Sequence, residues 1–260
     1  LHIFDQCYIK NVKTFPDTKT RTVRVTFDTV NTTKEEHELT LQTQAFLTDI
    51  SGDTGISSAA ATQEVTFPVG THANEITYAL GPDAAFWSEY TPVVYRFEIM
   101  ITENNDKTIT TFGLRDFTTT ETEFLINGTP TFLRGKHDGL IFPLTGAVLA
   151  TVDEWIRVMK ISKSYGINHY RFHTCCPPDG IYMEPQLPFW GTLTAPDDEN
   201  HNAAEQDYLI TEGYRMMDTF GNHASYCMMS LGNELWGSKE RMAEIIRNYK
   251  KVDTRHLYTQ

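Results

Sequence analysis

Cysteine is scarce in this sequence: Cys7, Cys175, Cys176 and Cys227 are the four among 260 residues. Two are vicinal and none forms a C-x-x-C pair, which argues against a zinc ribbon or a redox motif. They read as small buried hydrophobes. Long apolar runs are also missing: no stretch approaches the roughly 20 residues that a bilayer-spanning helix needs, and no membrane partner is expected. Basic residues are few, 22 Lys and Arg against 34 Asp and Glu, and the charge of −12 argues against nucleic acid as a partner. The opening "LHIFDQCYIK" carries neither an initiator Met nor the basic and apolar regions of a leader. The natural start is therefore expected upstream.

What is present is a globular composition, with 40% hydrophobic and 12% aromatic residues. At 260 residues the chain is long enough for one large or two modest domains. Its two halves have different periods. From 1 to about 120 apolar residues alternate with polar ones, as in "RTVRVTFDTV", "HELTLQTQAFL" and "VVYRFEIMITEN". Clusters such as "ISGDTG", "VGTHAN" and "GPDAAF" read as turns between them. Roughly seven short strands at this spacing predict an antiparallel β-sandwich of immunoglobulin type over 1–120.

In "TEFLINGTPTFLRG", Asn127-Gly128 between apolar arms predicts a two-residue hairpin, because a type I′ turn needs positive φ at both positions. Pro130 confines the second arm to an edge. Beyond it, over 121–260, strands and helices alternate, which implies parallel βα units. Thr151 and Glu154 form a capping box that opens a helix lined by Trp155, Ile156 and Met159 and stopped at Gly166. A second helix is predicted over Ala203–Phe220. A third spans about 238–252, with Met242, Ile245, Ile246, Tyr249 and Val252 on one face. "PTFLRGKHDG", "INHYRFH", "GIYMEPQLPFW", "ASYCMMSL" and "HLYTQ" are the strands.

Two features of this half point to missing chain. Between "NHYRFHTCCPP" and "GIYMEP" there is no room for the crossover of at least about ten residues that parallel neighbours require. A helix is expected to be lacking between 178 and 179. The series also stops after about four and a half units, where a closed barrel needs eight.

The strand "ASYCMMSL" ends in Gly232-Asn233-Glu234, an amide and a carboxylate that a buried strand does not need at its exit. This "SLGNELWG", with "FGLRDF", "FLINGTPTFLRGKHDG" and "SYGINHYRFHTCCPP", resembles glycoside hydrolase family 2 over roughly 110–237. The resemblance implies an immunoglobulin-like β-sandwich followed by a (β/α)8 TIM barrel, of which about the first half is in the chain. It also implies a sugar-binding jelly roll preceding these residues, and retaining hydrolysis of terminal β-linked sugars of the β-galactoside or β-glucuronide class.

By the same resemblance Glu234 is the general acid/base, and Asn233 contacts the sugar 2-hydroxyl. The nucleophilic Glu of a later strand lies outside the chain. Protonating a leaving oxygen calls for a raised pKa, which desolvation by Met228, Met229, Leu235 and Trp236 would supply. His137 and Asp138 after the first barrel strand, with Arg171 and His173 after the second, are implied sugar contacts. Glu184, Trp190 and Trp236 complete the expected substrate-binding set.

No cofactor and no metal are expected: His137, Asp138 and His173 lack the paired spacing of ligands. The expected partner is an oligosaccharide or a glycoside derived from polysaccharide, and a homo-oligomer is compatible with the resemblance. Export to the periplasm or out of a bacterial cell is the expected location. The competing expectation is a non-catalytic carbohydrate-binding or scaffold fragment.

Overall fold

The computed structural model describes residues 4–49, 51–140, 142–172 and 181–259. The chain divides into two compact units, Leu1–Asp116 and Phe117–Gln260.

Among the described residues the first unit contains eight strands: β1 (Cys7–Asp17), β2 (Thr22–Asn31), β3 (His37–Asp49), β4 (Gly52–Ser57), β5 (Ala61–Phe67), β6 (Gly70–Ala79), β7 (Val94–Ile101) and β8 (Lys107–Phe112). One sheet runs β1-β2-β6; the other runs β4-β3-β7-β8, with β5 also on β3. All pairings are antiparallel. Alternation decides which side chains meet. Val23, Val25 and Phe27 of β2 and Tyr95, Phe97, Ile99 and Ile101 of β7 belong to one buried cluster drawn from both sheets. This is the predicted β-sandwich. Two segments read as turns are strand instead. "ISGDTG" runs into β4 and "VGTHAN" opens β6. Each borrows order from a long neighbour: β4 pairs with the 13-residue β3 through Phe46–Asp49, and β6 pairs with β2 along its whole length, Gly70–Ala79.

The second unit begins with β9 (Phe117–Thr119), β10 (Phe124–Ile126) and β11 (Thr129–Thr131), an antiparallel sheet in the order β11-β10-β9. Ile126 pairs with Thr129, leaving Asn127 (φ 50°) and Gly128 (φ 77°) as the two-residue turn. Both take the left-handed conformation that the sequence demanded, and Pro130 lies on the edge strand β11.

Then come β12 (Gly135–Asp138), α1 (Val152–Ser164), β13 (His169–Phe172), β14 (Tyr182–Pro185), β15 (Trp190–Leu193), α2 (Ala203–Phe220), β16 (Met228–Ser230), β17 (Asn233–Gly237), α3 (Lys239–Val252) and β18 (Leu257–Thr259). β12, β13 and β14 pair in parallel. Parallel bridges Met183↔Tyr226 and Gln186↔Ser230 continue the series to β16, which pairs in parallel with β18. Among the described residues these five strands do not close on themselves. The proposed chain gap between 178 and 179, His173, and the vicinal Cys175 and Cys176 fall outside the described residues.

Thr151 caps α1 in the predicted box with Glu154. Trp155 and Met159 are buried on the helix, and Trp155 meets Phe142 and Phe172 edge-on at 5.6 and 5.9 Å. Full burial of each such side chain stabilises by about 2 kcal/mol. Ile156 is only half-buried. In α3 Met242, Ile245 and Tyr249 are buried, whereas Val252, expected on that face, is exposed in the last turn. The α2 and α3 faces pack on Leu187, Leu193, Met229 and Leu231.

Candidate active site

Parallel register sorts the candidate residues by row. Gly135, His169 and Tyr182 form one row, and His137, Arg171 and Glu184 the row above. Residues two apart share a face, so this face is polar, while Tyr170, Phe172 and Met183 on the other join the core under α1. A side chain at Gly135 would place its Cβ 2.7 Å from the His169 imidazole. The bare glycine is what lets His169 lie across the sheet.

Glu184 is buried between the His169 imidazole and the Arg171 guanidinium. His169 Nε2 is 3.4 Å from one carboxylate oxygen and Arg171 Nε is 3.9 Å from the other. Arg171 Nη1 also donates to the Asn233 side-chain oxygen at 3.2 Å. The guanidinium at the end of β13 thereby connects a buried carboxylate to the amide beyond β16.

Asn233 and Glu234 stand on β17, which pairs in parallel with β15 rather than forming a bare strand exit. Trp190 pairs with Asn233 and Thr192 with Trp236, so two steps on β15 face three on β17. The extra residue is a bulge, and Glu234 within it has φ 47°. Trp190 Nε1 donates to Glu234 Oε2 at 2.8 Å. Among the described residues that is the only hydrogen bond the carboxylate makes. The Trp190 and Trp236 rings meet edge-on at 5.7 Å, each more than half exposed.

The desolvating shell expected around Glu234 is not the one observed. Glu234 is exposed, and Met228 and Met229 are buried in the strand before it. Asp138 is likewise placed differently. Neighbouring strand residues point to opposite faces, so Asp138 cannot share the face of His137. It is buried with Lys136 Nζ at 2.8 Å and accepts from the Leu140 backbone N–H. Burial alone would lower the Lys136 ammonium. The Asp138 hydrogen bond, then the Tyr170 and Asp138 charges, outweigh it and hold the group above its ordinary value.

No family model matches the chain. A β-galactosidase large subunit from Latilactobacillus sakei is 24% identical over 215 residues, 72% of this chain and 33% of that protein. A family 2 β-galacturonidase from Eisenbergiella tayi bound to galacturonate superposes with a TM-score of 0.77 at 16% identity, covering 98% of this chain and 46% of that one. A family 2 glycosyl hydrolase from Bacteroides cellulosilyticus gives 0.72 at 19%, covering 98% and 35%. The chain has the fold of glycoside hydrolase family 2. It spans a third of the length of the curated relative it matches and less than half of these structures.

Within this family 2 fold the structure gathers Arg171, Glu184 and Asn233, and separately Glu234, Trp190 and Trp236. His137 is exposed in the Arg171 row, Asp138 is turned away, and His173 lies outside the described residues. The sequence reading passed over His169, although period two in "NHYRFH" places it with Arg171. It also passed over Gln186, two residues beyond Glu184, which is 1% exposed and whose amide atoms have no hydrogen-bond partner among the described residues. Among the described residues no three His, Cys, Asp or Glu side chains converge as metal ligands.

Proposed function

We propose that the chain is the leading part of the catalytic region of a retaining exo-β-glycosidase, acting on terminal β-galactosides or β-glucuronides by double displacement. The β-sandwich would precede a (β/α)8 barrel, to which β12, β13, β14, β16, β18 and the helices α1–α3 belong. The observation that carries this reading is the placement of the Asn-Glu pair. Asn233 is held by Arg171 from the end of a parallel strand, and Glu234 beside it presents an exposed carboxylate just past the end of another. Chemistry at the C-terminal ends of parallel strands is the rule for barrel enzymes.

In the first step a carboxylate nucleophile, from a Glu outside these residues, forms a bond to the anomeric carbon as the bond to the leaving oxygen breaks. Glu234 gives that oxygen its proton. In the second step Glu234 takes a proton from water as the water oxygen replaces the carboxylate at the anomeric carbon, restoring the starting configuration. The Asn233 amide, its oxygen engaged by Arg171, has its NH2 left to donate to a sugar hydroxyl. His137, Glu184, Trp190 and Trp236 would line the approach of the sugar or its aglycone. No cofactor takes part, and export to the periplasm or medium fits action on polysaccharide fragments.

The test is Glu234→Gln in the intact protein, assayed on nitrophenyl β-galactoside and β-glucuronide. A loss of turnover of about 100-fold or more with the melting temperature unchanged is expected. Undiminished turnover would refute the assignment. An intact protein that binds sugar but turns over no glycoside would be a carbohydrate-binding module instead.

A further inference from the structure

The hydrogen bond between Trp190 and Glu234 has a chemical consequence, given Glu234 as the acid/base proposed above. We propose that Trp190 is a positioning residue that fixes which oxygen of Glu234 carries the catalytic proton. An indole N–H is a donor and never an acceptor. The oxygen facing it, Oε2 at 2.8 Å, must therefore accept in both protonation states. When Glu234 is protonated the proton sits on Oε1, the oxygen that none of the described residues engages. The acid is thus presented with its proton toward the open side, and the carboxylate is held against rotation by a bond it keeps throughout the cycle.

The backbone is built to hold this pair together. β17 is pinned to β15 at both ends: Asn233 N donates to Phe189 O at 3.0 Å and Ser238 N to Leu193 O at 2.8 Å. Gly232 and Gly237 make these approaches possible, because a Cβ at either would overlap the Phe189 or Leu193 carbonyl. Between the pins the bulge places its extra residue in β17, where Glu234 adopts φ 47°. A regular ladder would instead continue the alternation from Asn233 and turn Glu234 to the opposite side. The edge-on contact of Trp236, at 5.7 Å and 77° between planes, supports the Trp190 ring.

The bland alternative is that two exposed indoles form only a platform for the aglycone. The two roles separate by leaving group, because acid assistance is needed in proportion to the basicity of the departing oxygen. The experiment compares kcat/KM of the intact protein, Trp190→Phe, Trp236→Ala and Glu234→Gln. The substrates are dinitrophenyl, nitrophenyl and phenyl β-glycosides of whichever sugar is turned over. Trp190→Phe keeps an aromatic face and deletes the donor. It is expected to lose about tenfold on the phenyl glycoside and under about twofold on the dinitrophenyl one, chiefly in kcat. Trp236→Ala, which leaves the N–H but not its support, should show a smaller loss with the same dependence. An equal loss on every leaving group, a loss confined to KM, or no loss would overturn the proposal. If Trp190→Phe does not fold, Trp236→Ala decides by the same criterion. If Glu234→Gln itself shows no leaving-group dependence, the acid/base assignment fails. If Glu234→Gln shows it and the tryptophan variants do not, only the positioning role fails.

Discussion

Arg171 and Asn233, 62 residues apart in the chain, are joined by a 3.2 Å hydrogen bond from the guanidinium to the amide oxygen. The same guanidinium lies 3.9 Å from the buried carboxylate of Glu184. Its position is therefore set from below, and it in turn sets which end of the Asn233 amide faces outward. Replacing Arg171 by Met should release the amide and leave Glu184 with His169 alone. Turnover is expected to fall by about 100-fold through misplacement, and stability by about 2 kcal/mol through loss of the guanidinium beside the buried carboxylate. Kinetics and thermal unfolding of Arg171→Met check the two effects separately.

A second ion pair controls acid stability. Asp253 and Arg255 are buried after α3, and Arg255 also reaches Asn222 at 2.6 Å and the Met217 carbonyl at 3.3 Å. Burial alone would raise the Asp253 carboxyl. The hydrogen bonds and charges of Arg255 and His256 outweigh it and hold the group well below the usual carboxylate range. A depressed folded pKa gives stability that is complete above the unfolded value, about 3.9, and is lost as pH falls below it. Asp253→Asn should cost about 3 kcal/mol near neutrality. The gap from the parent should narrow as pH drops from about 4 toward 2, as followed by urea unfolding across that range.

The helix pair offers a packing test. Gly213 of α2 faces Tyr249 of α3, whose phenol donates to the Ile210 carbonyl at 3.1 Å. A Cβ at 213 would overlap that phenol, and Tyr249 is fully buried. Helix propensity favours Gly213→Ala by about 1 kcal/mol, but overpacking costs about 2. A net loss of about 1 kcal/mol is therefore expected from these two effects, and Tyr249→Phe in the same chain should recover part of it. Thermal unfolding of the single and double variants measures the coupling.

Local chemistry made much of the fold legible. Asn127-Gly128 could serve only a turn with positive φ, Thr151 with Glu154 could serve only a helix start, and the period of two in "VVYRFEIMI" dictated the buried row Tyr95, Phe97, Ile99 and Ile101. Asp138 was expected beside His137, whereas a strand turns successive side chains to opposite faces and Asp138 is buried against Lys136. The pairing of β17 with β15 left no local trace. It joins segments some 40 residues apart, and its extra residue shifts the alternation that a reader would count. The exposure of Glu234 and its indole partner followed from that pairing. They were hidden for the same reason, even though the residue itself was plain from "GNE".

Glu234 occupies a backbone conformation that costs an ordinary L-residue about 1 kcal/mol and that Asn or Gly tolerates. With an exposed side chain and one hydrogen bond, it gives the folded state little in return. A lineage released from the need for this carboxylate would drift at position 234 toward the residues that relieve the backbone, and would become more heat-resistant as it lost its chemistry.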